Sequence, residues 1–254
     1  MAKPLEKMPP SKGVIEFNEK SHRYKVDGVY FPSVTTIIDS VVPKNLSWWA
    51  MVIGVRATTE LIKKGIVTEF TDPEEIVTEI RNQKLSVYHI RDEKGEEGTA
   101  VHRALENYAS HGEIPDLGAY TPVVRPKIRA LAAWLLSYRP VILASEVRVA
   151  STRHGYAGTF DLRVKEPGTG RVGIIDLKTG KRIYPDSQYP QLAAYEQASV
   201  ESGYDPSDFQ AILHLTEDGE YSFVESTDTF EDFEVLLNHY MSMKMREQRI
   251  KEES

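Results

Sequence analysis

The chain has 254 residues, 41% hydrophobic and 27% charged, which excludes a disordered, collagen-like or coiled-coil protein. It contains no cysteine, so Fe–S clusters, thiolate zinc sites and cysteine nucleophiles are ruled out. The net charge of −7 argues against a passive nucleic-acid coat, yet Val141–Asp186 carries eight basic against five acidic residues, +3 locally against −10 elsewhere.

The first 13 residues hold lysines and prolines but no apolar h-region. The longest apolar stretches, Trp48–Val55 and Ala130–Leu136, fall short of the ~18–20 residues that span a bilayer, so a soluble, cytoplasmic protein is expected. Val14–Phe17 and His22–Val26 read as a short strand pair closing on Asp27-Gly28. Ser33 is a candidate cap for a helix over Val34–Val42. A long helix from about Leu46 to Lys64 stops at Gly65, and Asp72-Pro73-Glu74-Glu75 opens another. Helices are also expected from about Glu96 to Ser110 and over Pro122–Tyr138, the latter with Leu131, Trp134, Leu135 and Tyr138 on one face. After Pro140 the period changes. Val141–Ala150, Tyr156–Lys165 and Val172–Leu177 are strand-like, followed by a helix at about Ser187–Ser202. Strands near Phe209–Leu215 and Tyr221–Glu225 and a C-terminal helix from Phe230 complete the chain. The expected class is α/β, a mixed sheet flanked by helices with a helical N-terminal elaboration, in one domain.

Gly168-Thr169-Gly170-Arg171-Val172-Gly173 matches the dinucleotide fingerprint, but it leads into a strand rather than a helix and reads as a hairpin turn. His102 and Glu106 share a helix face, an arrangement that in isolation is usually a solvated pair. Asp176 and Lys178 share one face of a strand, with Ile175 and Leu177 on the other. An acid and an ammonium at the end of an apolar strand are costly unless paired or coordinating. Asp161, in the adjacent hairpin strand, is placed to reach the same pocket. Two aspartates, a lysine two residues on and a helix-borne histidine can assemble a hard-cation site suited to Mg²⁺ or Mn²⁺ and to phosphodiester hydrolysis. Trp48 and Trp49 read as core, and His22, His154 and His214 are assigned nothing.

Gly98-Thr99-x-x-His102-x-x-Leu105-Glu106, Gly158-x-x-Asp161, Asp176-x-Lys178-Thr179 and Gln191-x-x-x-Tyr195, in that order, resemble the PD-(D/E)XK nuclease superfamily and its RecB-like exonucleases. Pro32-Ser33-Val34-Thr35-Thr36 and Val101-His102-Arg103-Ala104-Leu105-Glu106 are similar to the mitochondrial genome maintenance exonuclease family and its bacterial and phage relatives. The resemblance covers about residues 30–240. It implies a restriction-endonuclease-like core, with about 1–95 as elaboration and about 96–254 as catalytic core of a single nuclease domain. His102, Asp161, Asp176 and the Leu177 carbonyl are the implied metal ligands, with Glu106 a second-tier candidate. Asp161, Asp176 and Lys178 are the implied catalytic residues. Gln191 and Tyr195 are implied on the substrate side, and Arg148, Arg153, Lys181 and Arg182 are positioned in sequence to meet phosphates. The implied activity is Mg²⁺- or Mn²⁺-dependent DNA exonucleolysis from single-stranded ends, by a monomer working with a replication, repair or recombination partner. The alternatives are an endonuclease on the same core and an inactive DNA-binding protein. In the resembled exonucleases, helices such as those from Leu46 to Ser110 build a lid. Phe160 stands where the superfamily name has Pro and Asp176 is Asp rather than Glu, neither of which removes a needed atom. No cysteines are present for the iron–sulfur branch.

Overall fold

A computed structural model describes residues 14–253 apart from 19, 20, 22, 44 and 45, so His22 and the leading 13 residues lie outside it. The chain divides into two compact units. The first takes the described residues up to Pro43 together with those from Val101 onward; the second is formed within Lys44–Ala100.

The first unit begins with three short antiparallel strands, β1 (Ile15–Asn18), β2 (Arg23–Val26) and β3 (Val29–Phe31). The expected pair thus has a third member. Asp27 and Gly28 both take positive φ (47° and 86°), the backbone twist a tight two-residue hairpin requires. Helix α1 (Val34–Val41) is capped by Ser33, whose Oγ accepts the Thr36 N–H at 2.9 Å.

In the second unit, α2 (Ser47–Lys63) buries Ile53, Ala57 and Leu61, and α3 (Pro73–Asn82) is capped by Asp72. Trp48 contradicts its core assignment: it is 71% exposed, on the face of α2 that also carries exposed Met51 and Val55. Trp49 is half-buried. Helix α4 (Val87–His111) starts nine residues earlier than its apolar pattern implies, because Arg91–Gly98 is almost wholly polar and holds two glycines. Its residues through Ala100 belong to the second unit and those from Val101 to the first.

The first unit resumes with that end of α4, a 3₁₀ turn at Leu117–Ala119 and α5 (Arg125–Tyr138). The strands β4 (Val141–Ser151), β5 (Tyr156–Lys165) and β6 (Val172–Lys178) follow, then α6 (Pro185–Glu201), β7 (Phe209–Leu215), β8 (Tyr221–Glu225) and α7 (Phe230–Glu252). The sheet runs β4-β5-β6-β7-β8, with β6–β7 parallel across the α6 crossover and the other pairs antiparallel. This is the expected mixed sheet flanked by helices. Gly168 and Gly170 both take positive φ in the β5–β6 hairpin, so the glycine-rich run is a turn.

One core joins Val34, Ile37 and Ile38 of α1 to Tyr156, Phe160 and Ile174 of the sheet, with Leu192 and Tyr195 of α6 and Phe233 and Leu237 of α7. Burying side chains of this size contributes about 1.5–3 kcal/mol each, which clamps β5 and β6 against α6. Trp134 and Tyr138 of α5 stack together, and both rings lie near Phe223 of β8. Gly158 on β5 is required by α6: a Cβ there would lie 2.5 Å from the Tyr195 ring. No helix among the described residues is long and apolar enough to cross a membrane.

Candidate active site

The site is built where α4, β4, β5, β6 and α6 converge. Val101, Ala104 and Leu105 bury one face of α4, which leaves His102 on the other with its side chain 34% exposed. His102 Nδ1 lies 3.3 Å from Asp161 Oδ1 and 4.0 Å from Glu146 Oε1. Ligand atoms of His102, Glu146 and Asp161 all fall within 4.8 Å of one another. Glu106, one turn further along α4, is exposed and outside that trio, although its charge reaches Glu146.

Glu146 has no counterpart in the sequence reading. It adopts φ 50°, left-handed backbone inside a strand, between the Ser145↔Leu162 and Val147↔Phe160 pairs. That conformation costs a non-glycine residue about 1–2 kcal/mol. The kink turns a glutamate toward His102 and Asp161 at the level of the sheet where Asp161 sits. Motif spacing carries no trace of it; the available hint is an acid within the otherwise strand-like Val141–Ala150 run.

The second half of the cluster comes from β6. The Leu177 N–H donates to Asp161 Oδ2 at 2.6 Å, tying the two strands together at the acid. Lys178 Nζ lies 2.6 Å from Asp176 Oδ2, an oxygen that is buried and takes no well-aligned hydrogen bond, and donates to Gln191 Oε1 at 3.2 Å. The Gln191 amide donates to Asp176 Oδ1 (3.2 Å) and to the Tyr195 hydroxyl (2.9 Å). One α6 side chain therefore orients both the acid and the lysine, and Tyr195 in turn orients it.

The electrostatics follow from setting two buried carboxylates and a partly exposed one beside two cations. Burial alone would lower His102, but Asp161, with Asp176 and Glu146, carries it up to about 9. Burial and the neighbouring Asp161 push Glu146 up to about 7 despite His102. Burial opposes ionisation of Asp161, yet His102, Lys178 and the Leu177 N–H hold it below the usual carboxylate range. Asp176 goes the other way, raised by burial and by Asp161 against the pull of Lys178. Burial would lower Lys178, but Asp176 and Asp161 raise it, so it is an ammonium.

His102, Asp161, Asp176, Leu177, Lys178, Gln191 and Tyr195 thus lie together. Arg148 is exposed on β4 with its guanidinium 5.7 Å from the Phe17 ring, two residues from Glu146. Lys181 and Arg182 are exposed in the loop after β6. Arg153 is not at the site. It occupies the β4–β5 turn, where its N–H donates to Glu201 at the far end of α6, about 15 Å along the helix from Gln191. Five strand residues, Val147 to Ser151, and one turn residue separate it from Glu146. His154 and His214, unassigned in the sequence, both have partners: His154 Nδ1 lies 3.2 Å from Glu201, and His214 Nε2 lies 2.7 Å from the Gly180 carbonyl.

No family model and no curated protein matches the chain. Among solved structures it is similar to an alkaline exonuclease (LHK-Exo) from Laribacter hongkongensis, with a TM-score of 0.36 and 13% identity over 49% of this chain and 68% of that one. A likeness of that size carries no argument, and the functional reading rests on the residues themselves.

Proposed function

We propose that this chain is a divalent-metal-dependent deoxyribonuclease on a restriction-endonuclease-like core, a single nuclease domain of the PD-(D/E)XK, RecB-like kind that degrades DNA from single-stranded ends. The observation that carries it is the trio His102, Glu146 and Asp161 beside the buried Asp176–Lys178 pair. The donor set fits a hard cation: it is rich in carboxylate oxygen, has one imidazole and lacks sulfur. Asp176 Oδ2, buried 2.6 Å from the Lys178 ammonium, adds a further carboxylate oxygen to that donor set. His102, Glu146, Asp161, Asp176 and the Leu177 carbonyl would hold Mg²⁺ or Mn²⁺, with Glu106 the candidate ligand for a second ion. Bound there, such an ion acidifies a coordinated water and offsets phosphate charge.

The chain's own residues supply the rest. Lys178, an ammonium held by Asp176 and Gln191, orients the attacking water and stabilises negative charge gathering on the phosphoryl oxygens. Gln191 and Tyr195 fix the rotamers of that pair, preorganisation that spares reordering during the reaction. Arg148, Lys181 and Arg182 meet the phosphates on either side. The test is hydrolysis of end-labelled single-stranded DNA. Cleavage is expected with Mg²⁺ or Mn²⁺ and none in EDTA, and full activity in EDTA refutes the reading.

A further inference from the structure

Resting on that reading, and sharpening its substrate class, we infer that the loop from Thr179 to Tyr184 is a preformed platform for an unpaired nucleobase, with the stacked Arg182–Tyr184 pair as its surface. The loop leaves β6 directly after Lys178 and enters α6 at Pro185. Tyr184 is 45% exposed, which leaves its ring open to a ligand, and the Arg182 guanidinium lies 4.8 Å from its centroid. Both partners present flat, polarizable faces that accept a base of any identity.

The loop is held at both ends. The buried His214, in register beside Lys178 on the neighbouring parallel strand, sits with Nε2 2.7 Å from the Gly180 carbonyl, where it donates in the Nε2–H tautomer. At the other end the Tyr184 N–H donates to Gln188 Oε1 at 3.0 Å. Tyr184 is the residue before the first turn of α6, Gln188 lies in that turn, and Gln191, a turn further on, is the residue that grips Asp176 and Lys178. The Tyr184 backbone is therefore about 10 Å along the α6 axis from that of Gln191, within reach of a nucleotide next to the reacting phosphate. Lys181 and Arg182, opposed locally by Asp186, leave the segment with a net positive charge for the connecting phosphates.

A base inside a duplex is already stacked on both faces and paired along its edge, so it cannot use such a surface. A single strand offers a free π-face at each nucleotide. The loop accordingly selects unpaired strands, whatever their sequence.

Fluorescence anisotropy in EDTA, with a fluorescein-labelled oligothymidine and a blunt DNA hairpin as probes, tests this directly. Tyr184→Ala is expected to weaken oligothymidine binding about tenfold while leaving the hairpin unchanged, and Tyr184→Phe to bind both as the wild type does. His214→Ala is expected to share the loss, and His214→Gln, whose amide nitrogen replaces Nε2, to restore binding. Thermal melts confirm that each variant is folded. Wild-type affinity for oligothymidine in Tyr184→Ala, or equal loss on both probes, overturns the platform; wild-type affinity in His214→Ala overturns its anchoring. A wild-type protein that binds neither probe refutes the nuclease reading itself, whereas binding that ignores Tyr184 refutes only the stacking.

Discussion

Replacing Glu146 by Gln should stabilise the metal-free protein and weaken its hold on metal, two effects of opposite sign from one atom's charge. Glu146 sits at about 7 against an ordinary 4.5, pushed there by burial and by Asp161. Because its folded value is the higher one, ionised Glu146 destabilises the fold; the penalty is complete above pH 7 and absent below about 4.5. A shift of that size corresponds to about 3 kcal/mol in full. The Glu146 side chain is 40% exposed, so solvent screening reduces this to about 1–2 kcal/mol. For a chain of this length that is a rise in melting temperature of roughly 4 °C. Calorimetry in EDTA should show the rise at pH 8 and lose it near pH 4.5. Titration with Mn²⁺ should show at least about tenfold weaker binding in the variant, as expected when a group that holds or orients a metal is lost. With metal in excess, a tenfold difference in affinity is worth about 1.4 kcal/mol, so the variant's advantage should shrink to near zero. A variant that melts lower than wild type in EDTA at pH 8 refutes the idea that the carboxylates repel one another here. One that binds Mn²⁺ as wild type does removes Glu146 from the metal site.

Lys178→Ala and Asp176→Ala should each lower cleavage by about 10²-fold or more with DNA affinity retained, and normal cleavage by Lys178→Ala would make the lysine structural. Apparent Mn²⁺ affinity, measured by titration calorimetry, should rise from pH 6 to pH 9 as Glu146 and then His102 shed the protons that compete with metal; a flat profile excludes them as ligands. Covalently closed single-stranded circles should resist digestion while the same sequence, linearised, is degraded. Efficient cleavage of the circles would favour an endonuclease.

Much of this site was legible because its residues lie on regular elements whose periods are readable. Asp176 and Lys178 sit two apart on an apolar strand, and Gln191 and Tyr195 four apart on a helix that buries both. Their hydrogen bonds follow from those spacings. Glu146 was not legible, because a left-handed residue within a strand breaks the period-2 rule that would have located its side chain. Arg153 differs for the reverse reason: it is near Asp161 in sequence, but the β4–β5 hairpin carries its turn away from the cluster. His214 is far from Lys178 in sequence, and their proximity depends on the parallel β6–β7 pairing. Trp48 shows how weak an argument hydrophobicity is for burial when α2 has to place its apolar residues on more than one side.

The contact of Gly158 with the Tyr195 ring reaches beyond packing. With no room for even one methyl group, position 158 and position 195 cannot drift independently. Any side chain at 158 displaces the ring, and with it the hydroxyl that accepts from Gln191. Trimming residue 195 to make room removes that hydroxyl as well. Random mutagenesis under selection for activity should therefore return these two positions unchanged or not at all, with no compensating pair, and so mark out the narrowest passage available to this chain as it evolves.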